Sequence, residues 1–125
     1  FIKSQGNRMA VFYDHDLAIR KMNSESWQKI SQEIVHTLPN QIYISFDIDG
    51  LDPQFCPNTG TPVIGGLSVD EVFFIFNLLA QSGKQIVGFD LNEVSTGENE
   101  EAEWDGNVGV RMLYKLCGWS LVTNK

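Results

Sequence analysis

The sequence predicts an α/β chain organised around a parallel sheet. Three observations carry this: short apolar runs that end in carboxylates, capped amphipathic stretches between them, and connections far longer than hairpin turns. The first run, Met9-Ala10-Val11-Phe12-Tyr13, predicts a buried strand that ends in the polar loop Asp14-His15-Asp16. The spacing of Trp27, Ile30, Ile34, Val35 and Leu38 predicts a helix, with Ser24 as its N-cap and Pro39 as its stop. Ile42 to Phe46 reads as a second strand, running into Asp47-Ile48-Asp49-Gly50-Leu51-Asp52-Pro53. Residues 53–66 hold three of the four prolines and three glycines, which predicts a long loop. Ser68, with Glu71 as capping-box partner, opens a helix whose buried face is Val72, Phe73, Phe76, Leu79 and Ala80 and which Gly83 ends. Gln85 to Phe89 is the third strand and leads into Asp90-Leu91-Asn92-Glu93; Val108, Met112, Leu113 and Leu116 mark a last helix. Right-handed crossovers would place Asp47, Asp49 and Glu93 at the carboxyl ends of strands, where open α/β sheets bind ligands.

A length of 125 residues suits one core, and 42% hydrophobic with 20% charged residues is an ordinary globular composition that excludes collagen-like, coiled-coil and disordered chains. No apolar stretch reaches the ~18 residues of a bilayer span, and no signal peptide opens the chain, which points to a soluble, cytoplasmic protein. The net charge of −7 argues against nucleic-acid and anionic-membrane surfaces, which need clustered Lys and Arg. Most of the excess lies after residue 65, and the six carboxylates between Glu93 and Asp105 read as a solvated loop. Cys56 and Cys117 have no CxxC spacing and read as ordinary thiols. The opening Phe1-Ile2-Lys3, without Met, suggests a chain entered in mid-protein.

Asp47 and Asp49 are two apart, so a strand that persisted through them would turn both carboxylates to one face and Ile48 to the core. Such a pair repels itself unless a cation sits between, which makes it half of a divalent-metal site, with solvated turn aspartates as the plain alternative. An EF-hand is set aside because glycine falls at the fourth loop position and Asn58 stands where the closing Glu belongs. The aspartate phosphohydrolases of haloacid dehalogenase type are set aside because Leu51 follows the glycine and the motif lies in mid-chain.

The stretch Ser45-Phe46-Asp47-Ile48-Asp49-Gly50-Leu51-Asp52-Pro53, followed by Pro57, Thr59-Gly60-Thr61-Pro62 and Gly65-Gly66-Leu67-Ser68, resembles the late signature of the ureohydrolases. That is the arginase, agmatinase and formimidoylglutamase family, and about 24 consecutive positions are involved. The resemblance implies a three-layer α/β/α domain of arginase type. It also implies a hydrolase in which two manganese ions activate water for attack on an amidine or guanidine carbon. By the same resemblance Asp47 bridges both metals, Asp49 binds one, Asp52 anchors the loop, and Thr61 lines the substrate cavity.

A second matching segment, Gly88-Phe89-Asp90-Leu91-Asn92-Glu93-Val94, makes Glu93 the receiver of the substrate's planar cation. After Val94 the family's Asn-Pro is replaced by Ser95-Thr96, which is similar to formimidoylglutamase-like sequences and makes formimidoyl-glutamate the first substrate expected. Arginine or agmatine, releasing urea, is the alternative within the family, and a non-catalytic assembly module the alternative outside it. Asn107 is expected to cap the last helix.

The family's Gly-Gly-x-His and Asp-x-His-x-Asp metal motifs precede this signature, and neither occurs here. His15, in the differently spaced Asp14-His15-Asp16, and His36 are therefore read as structural histidines. The expectation is the C-terminal part of one ureohydrolase domain, homo-oligomeric in its complete form, silent and weakly manganese-binding on its own.

Overall fold

Residues 2–95 and 103–125 are described by the structure, a computed structural model. A short helical segment, Ile2–Arg8, kinks at Gly6 and leads into unpaired residues 9–13. The strand expected at 9–13 does not form: Met9, Val11 and Tyr13 are exposed, because an apolar run becomes a strand only where a neighbour takes its ladder. Asp14, His15 and Asp16 instead begin α1 (Asp14–Met22), whose first turn carries two acids and whose last turn carries Arg20 and Lys21, the arrangement a helix dipole favours. Leu17 alone is buried on α1. Ion pairs of Arg20 with Glu25 and Glu33 and of Lys21 with Glu71 tie the helix to its neighbours at the surface, where solvent screens them.

α2 (Trp27–Thr37) is capped by Ser26, whose hydroxyl accepts from the Lys29 N–H, and not by Ser24, which takes a left-handed φ of 65° in the preceding turn. It stops before Pro39 as expected. β1 (Gln41–Asp47) pairs in parallel with β2 (Gln85–Asn92), and these two strands, not three, make the sheet of the described residues. Between them α3 (Val69–Gln81) shows the full Ser68/Glu71 capping box. Finally, α4 runs Trp104–Thr123.

One core joins Val35 of α2, Ile42 and Ile44 of β1, Val72, Phe76 and Leu79 of α3, Ile86 of β2, and Met112 and Leu116 of α4. Each fully buried Leu or Ile here contributes about 1.5–3 kcal/mol. The opposite face of β1, bearing Tyr43, Ser45 and Asp47, is exposed, so among the described residues helices cover only the face that bears Ile42 and Ile44. Register slips between Ile42 and Tyr43, so that Tyr43 pairs with Gly88, where a Cβ would lie 2.9 Å from the Tyr43 ring. The end of α4 satisfies Ile86 beyond the ladder: Thr123 Oγ1 accepts its N–H and Asn124 Nδ2 donates to its carbonyl.

Candidate functional site

The strand stops at Asp47, and Ile48–Gly50 form a single helical turn. The two-residue strand alternation therefore does not govern Asp49. What fixes the turn is burial: Ile48 and Leu51 are fully enclosed, and the buried Cys56 thiol donates to the Ile48 carbonyl at 3.1 Å. Burial, reinforced by the nearby carboxylates of Asp105, Asp49 and Asp52, pushes that thiol above its ordinary range and keeps it a donor.

The proline- and glycine-rich loop is pinned back on this turn. Asp52 N–H donates to Leu67 O and Leu67 N–H to Gly50 O, both at 3.0 Å, while Asp52 Oδ1 accepts from Gln54 N–H. The Asp52 main chain thus ties the two ends of the loop together, while its side chain bonds locally, to Gln54. Gly66 is required here because a Cβ would lie 2.3 Å from the Leu51 carbonyl carbon.

The loop returns to the strand ends at Thr61, whose hydroxyl donates to Asp49 Oδ2 at 2.6 Å. Next to it, Gly60 faces Glu93: a Cβ on Gly60 would sit 3.4 Å from Glu93 Oε2. Glu93 is exposed and holds a left-handed φ of 61°, a conformation that costs a non-glycine residue about 1–3 kcal/mol and concentrates at functional sites. Asp49, Thr61 and Glu93 are thus brought together where β1 and β2 end. Asp47 is exposed and pairs in register with Asn92, the residue before Glu93.

Sequence reasoning missed two features beside these residues. On the open sheet face, Ser45 Oγ and Asn92 Nδ2 donate to Asp90 Oδ1, and the Tyr43 hydroxyl donates to the same carboxylate. Hydrogen bonds from Ser45, then Tyr43, then Asn92 hold the Asp90 carboxyl below its usual range, and Asp90 in turn raises Tyr43. The alternation of Tyr43, Ser45 and Asp47 on one strand was the available signal. The second feature is Asp105. It was expected among solvated carboxylates, yet it is fully buried, accepting from Asn58 N–H at 2.8 Å and from Asn58 Nδ2 at 3.2 Å. Glu93 and Glu103 are exposed as expected, while Glu98, Glu100 and Glu101 lie outside the described residues. Asn107 is not a cap, because α4 starts three residues earlier with Glu103 at its N-cap, and the Asn107 N–H donates to the Glu103 carbonyl.

His15 is exposed in the first turn of α1, a helical position in place of the loop or strand end expected. Asp14, beside it, lines with Asp49 and Gly65 a depression of about 170 Å³. His36 borders a separate depression with Gln32 and Lys84, near the start of β2 and remote from the site. Asp47 and Asp49 are the hard oxygen donors a divalent ion such as manganese takes. They fit such an ion in kind but not in number, since among the described residues no group of three or more His, Cys, Asp or Glu is placed to hold one.

Two parallel strands whose carboxyl ends gather Asp47, Asp49 and Glu93, with helices packed on one face, define an α/β protein with a carboxylate-rich strand end, and comparison with known proteins gives its family. The sequence profile of the Arginase family matches residues 5–118, and the chain belongs to that family. An agmatinase of Neisseria gonorrhoeae is 38% identical over 102 residues, covering 78% of this chain and 33% of the relative. Arginase-1 of Mus musculus is 47% identical over 62 residues, covering 50% and 19%. Among solved structures, arginase from Bacillus cereus superposes with a TM-score of 0.72 at 30% identity, covering 93% of this chain and 38% of that one. The proclavaminate amidino hydrolase of Streptomyces clavuligerus, at 24% identity and a TM-score of 0.77, shares the fold. The chain therefore spans about a third of the length of the agmatinases it matches.

Proposed function

We propose that the protein containing this chain hydrolyses a C–N bond of a linear guanidine or amidine. The observation that carries this reading is the meeting of Thr61 on Asp49 and of Glu93 on Gly60 at adjacent strand ends, inside the signature that the family profile covers. In this reading Asp47 and Asp49 hold manganese together with ligands from outside this chain; when bound, the metal pair supplies water of lowered pKa. Thr61 steadies the Asp49 carboxylate by its hydrogen bond. Glu93, exposed beside the Gly60 backbone, accepts the paired N–H donors of the planar cation and turns its carbon toward the metal-binding aspartates. Water adds to that carbon, the C–N bond breaks, and the nitrogen leaves as an amine after taking up a proton. The excess of carboxylates at these strand ends and the net charge of −7 favour a cationic substrate.

The relatives described above are agmatinases and arginases, which favours a guanidine that releases urea. Formimidoyl-glutamate is kept as a second reading on one observation, Ser95-Thr96 in place of Asn-Pro after Val94. We propose a homo-oligomer for the complete protein on the family resemblance, and a cytoplasmic location on the sequence reading above; among the described residues no helix is long and apolar enough to cross a membrane. The test is to load the complete protein with manganese and offer agmatine, arginine and formimidoyl-glutamate separately, measuring urea and formamide. Release from one of the three is expected. Release from none, with manganese bound, would overturn the reading.

A further inference from the structure

Asp105 is a fully buried carboxylate with no cation among its hydrogen-bond partners in the described structure. Removing a carboxylate from water costs several kcal/mol, so it stays buried only where fixed donors surround it. Here the donors are both N–H groups of Asn58, main chain and side chain, with Asp105 in the first turn of α4, the positive end of the helix dipole. Asn58 opens the turn that carries Gly60, against Glu93, and Thr61, against Asp49. Four residues on, and so on the same side of α4, Gly109 meets Val94 so closely that a Cβ would lie 2.9 Å from Val94 Cγ1. The first two turns of α4 therefore touch both the substrate turn and the residue that follows Glu93.

We propose that Asp105 is the positioning residue of this site: by clamping Asn58 it fixes the distance between Thr61 and Glu93, and with it the slot for the planar cation. The proposal rests on the reading of the preceding subsection for what the slot holds. The Asn58 clamp itself is independent of that reading. In Asp105→Asn one of the two acceptors becomes a donor that faces an Asn58 N–H, so the clamp opens while the side-chain volume is kept.

The test uses the complete, manganese-loaded protein and two readouts. Hydrogen exchange should accelerate across residues 57–61 in Asp105→Asn and remain unchanged across α3. With the substrate that the panel identifies, kcat/KM should fall about 10–100-fold at unchanged manganese content, the range a misplaced binding group produces. Adding Thr61→Ala to Asp105→Asn should cost less than the product of the two single losses, since both act through one turn. Wild-type exchange at 57–61 with wild-type kcat/KM, or fully multiplicative losses, would overturn the proposal. Should the wild type hydrolyse none of the substrates, the functional reading fails, and the exchange readout still decides whether Asp105 holds the turn. If Asp105→Asn does not fold, Asn58→Ala removes only the 3.2 Å bond and should reproduce the exchange and kinetic changes in weaker form; its lack of effect on both would overturn the proposal.

Discussion

Gly66→Ala places a methyl group where the backbone of the metal-side turn already lies. The new Cβ would be 2.3 Å from Leu51 C and 2.5 Å from both Leu51 O and Asp52 N, all main-chain atoms that cannot rotate away. The chain must then separate the bridge between Leu51 and Leu67, losing the Asp52-to-Leu67 and Leu67-to-Gly50 hydrogen bonds at about 1 kcal/mol each. Partial undocking of Leu51, fully enclosed in the core, adds about 1 kcal/mol more. The sum is a loss of about 3 kcal/mol. In urea, with a slope near 1.5 kcal/mol per molar, the unfolding midpoint should fall by about 2 M. Gly50→Ala is the control, since a Cβ there meets nothing within 4 Å. It should stay within about 0.5 kcal/mol of wild type. Equal midpoints for Gly66→Ala and wild type would refute the claim that this close approach builds the loop.

Two further outcomes are expected. Glu93→Gln should leave manganese content unchanged while raising KM or lowering kcat for the guanidine or amidine; unchanged kinetics would remove Glu93 from the slot. Hydrogen bonds from Arg20 and then Lys29 lower the Glu25 carboxyl from its ordinary 4.5 to about 2, so its stabilisation is present above pH 4.5 and is lost as pH falls toward 2. Thermal midpoints of wild type and Glu25→Gln should thus differ at pH 6 and converge by pH 2, and a gap that stays constant with pH would contradict the assignment.

Local chemistry made much of this fold legible. The Ser68 and Glu71 pair announced α3 because both halves of its capping box are adjacent in sequence, and Pro39 announced the end of α2. Family-specific spacing did the same for the loop from Asp47 to Ser68. What failed depended on partners far along the chain. Met9 to Tyr13 has strand composition but no neighbouring strand among the described residues, and β2 extends past Phe89 because Ser45, Phe46 and Asp47 of β1 continue its ladder. Asp105 is the clearest case: its own surroundings in sequence are acidic and polar, and its burial is decided by Asn58, 47 positions earlier. Asp49 was expected on a strand face beside Asp47, but the enclosed Ile48 and Leu51 wind the chain into a turn where alternation had been assumed.

The central claim is that Asp47 belongs to a metal-dependent hydrolytic site at the strand ends. Asp47→Asn and Asp70→Asn, the latter an exposed position in the first turn of α3, change charge equally in the complete protein. Manganese content and release of urea or formamide, measured side by side, should fall sharply in Asp47→Asn and match wild type in Asp70→Asn. Comparable metal content and turnover in the two variants would contradict the account.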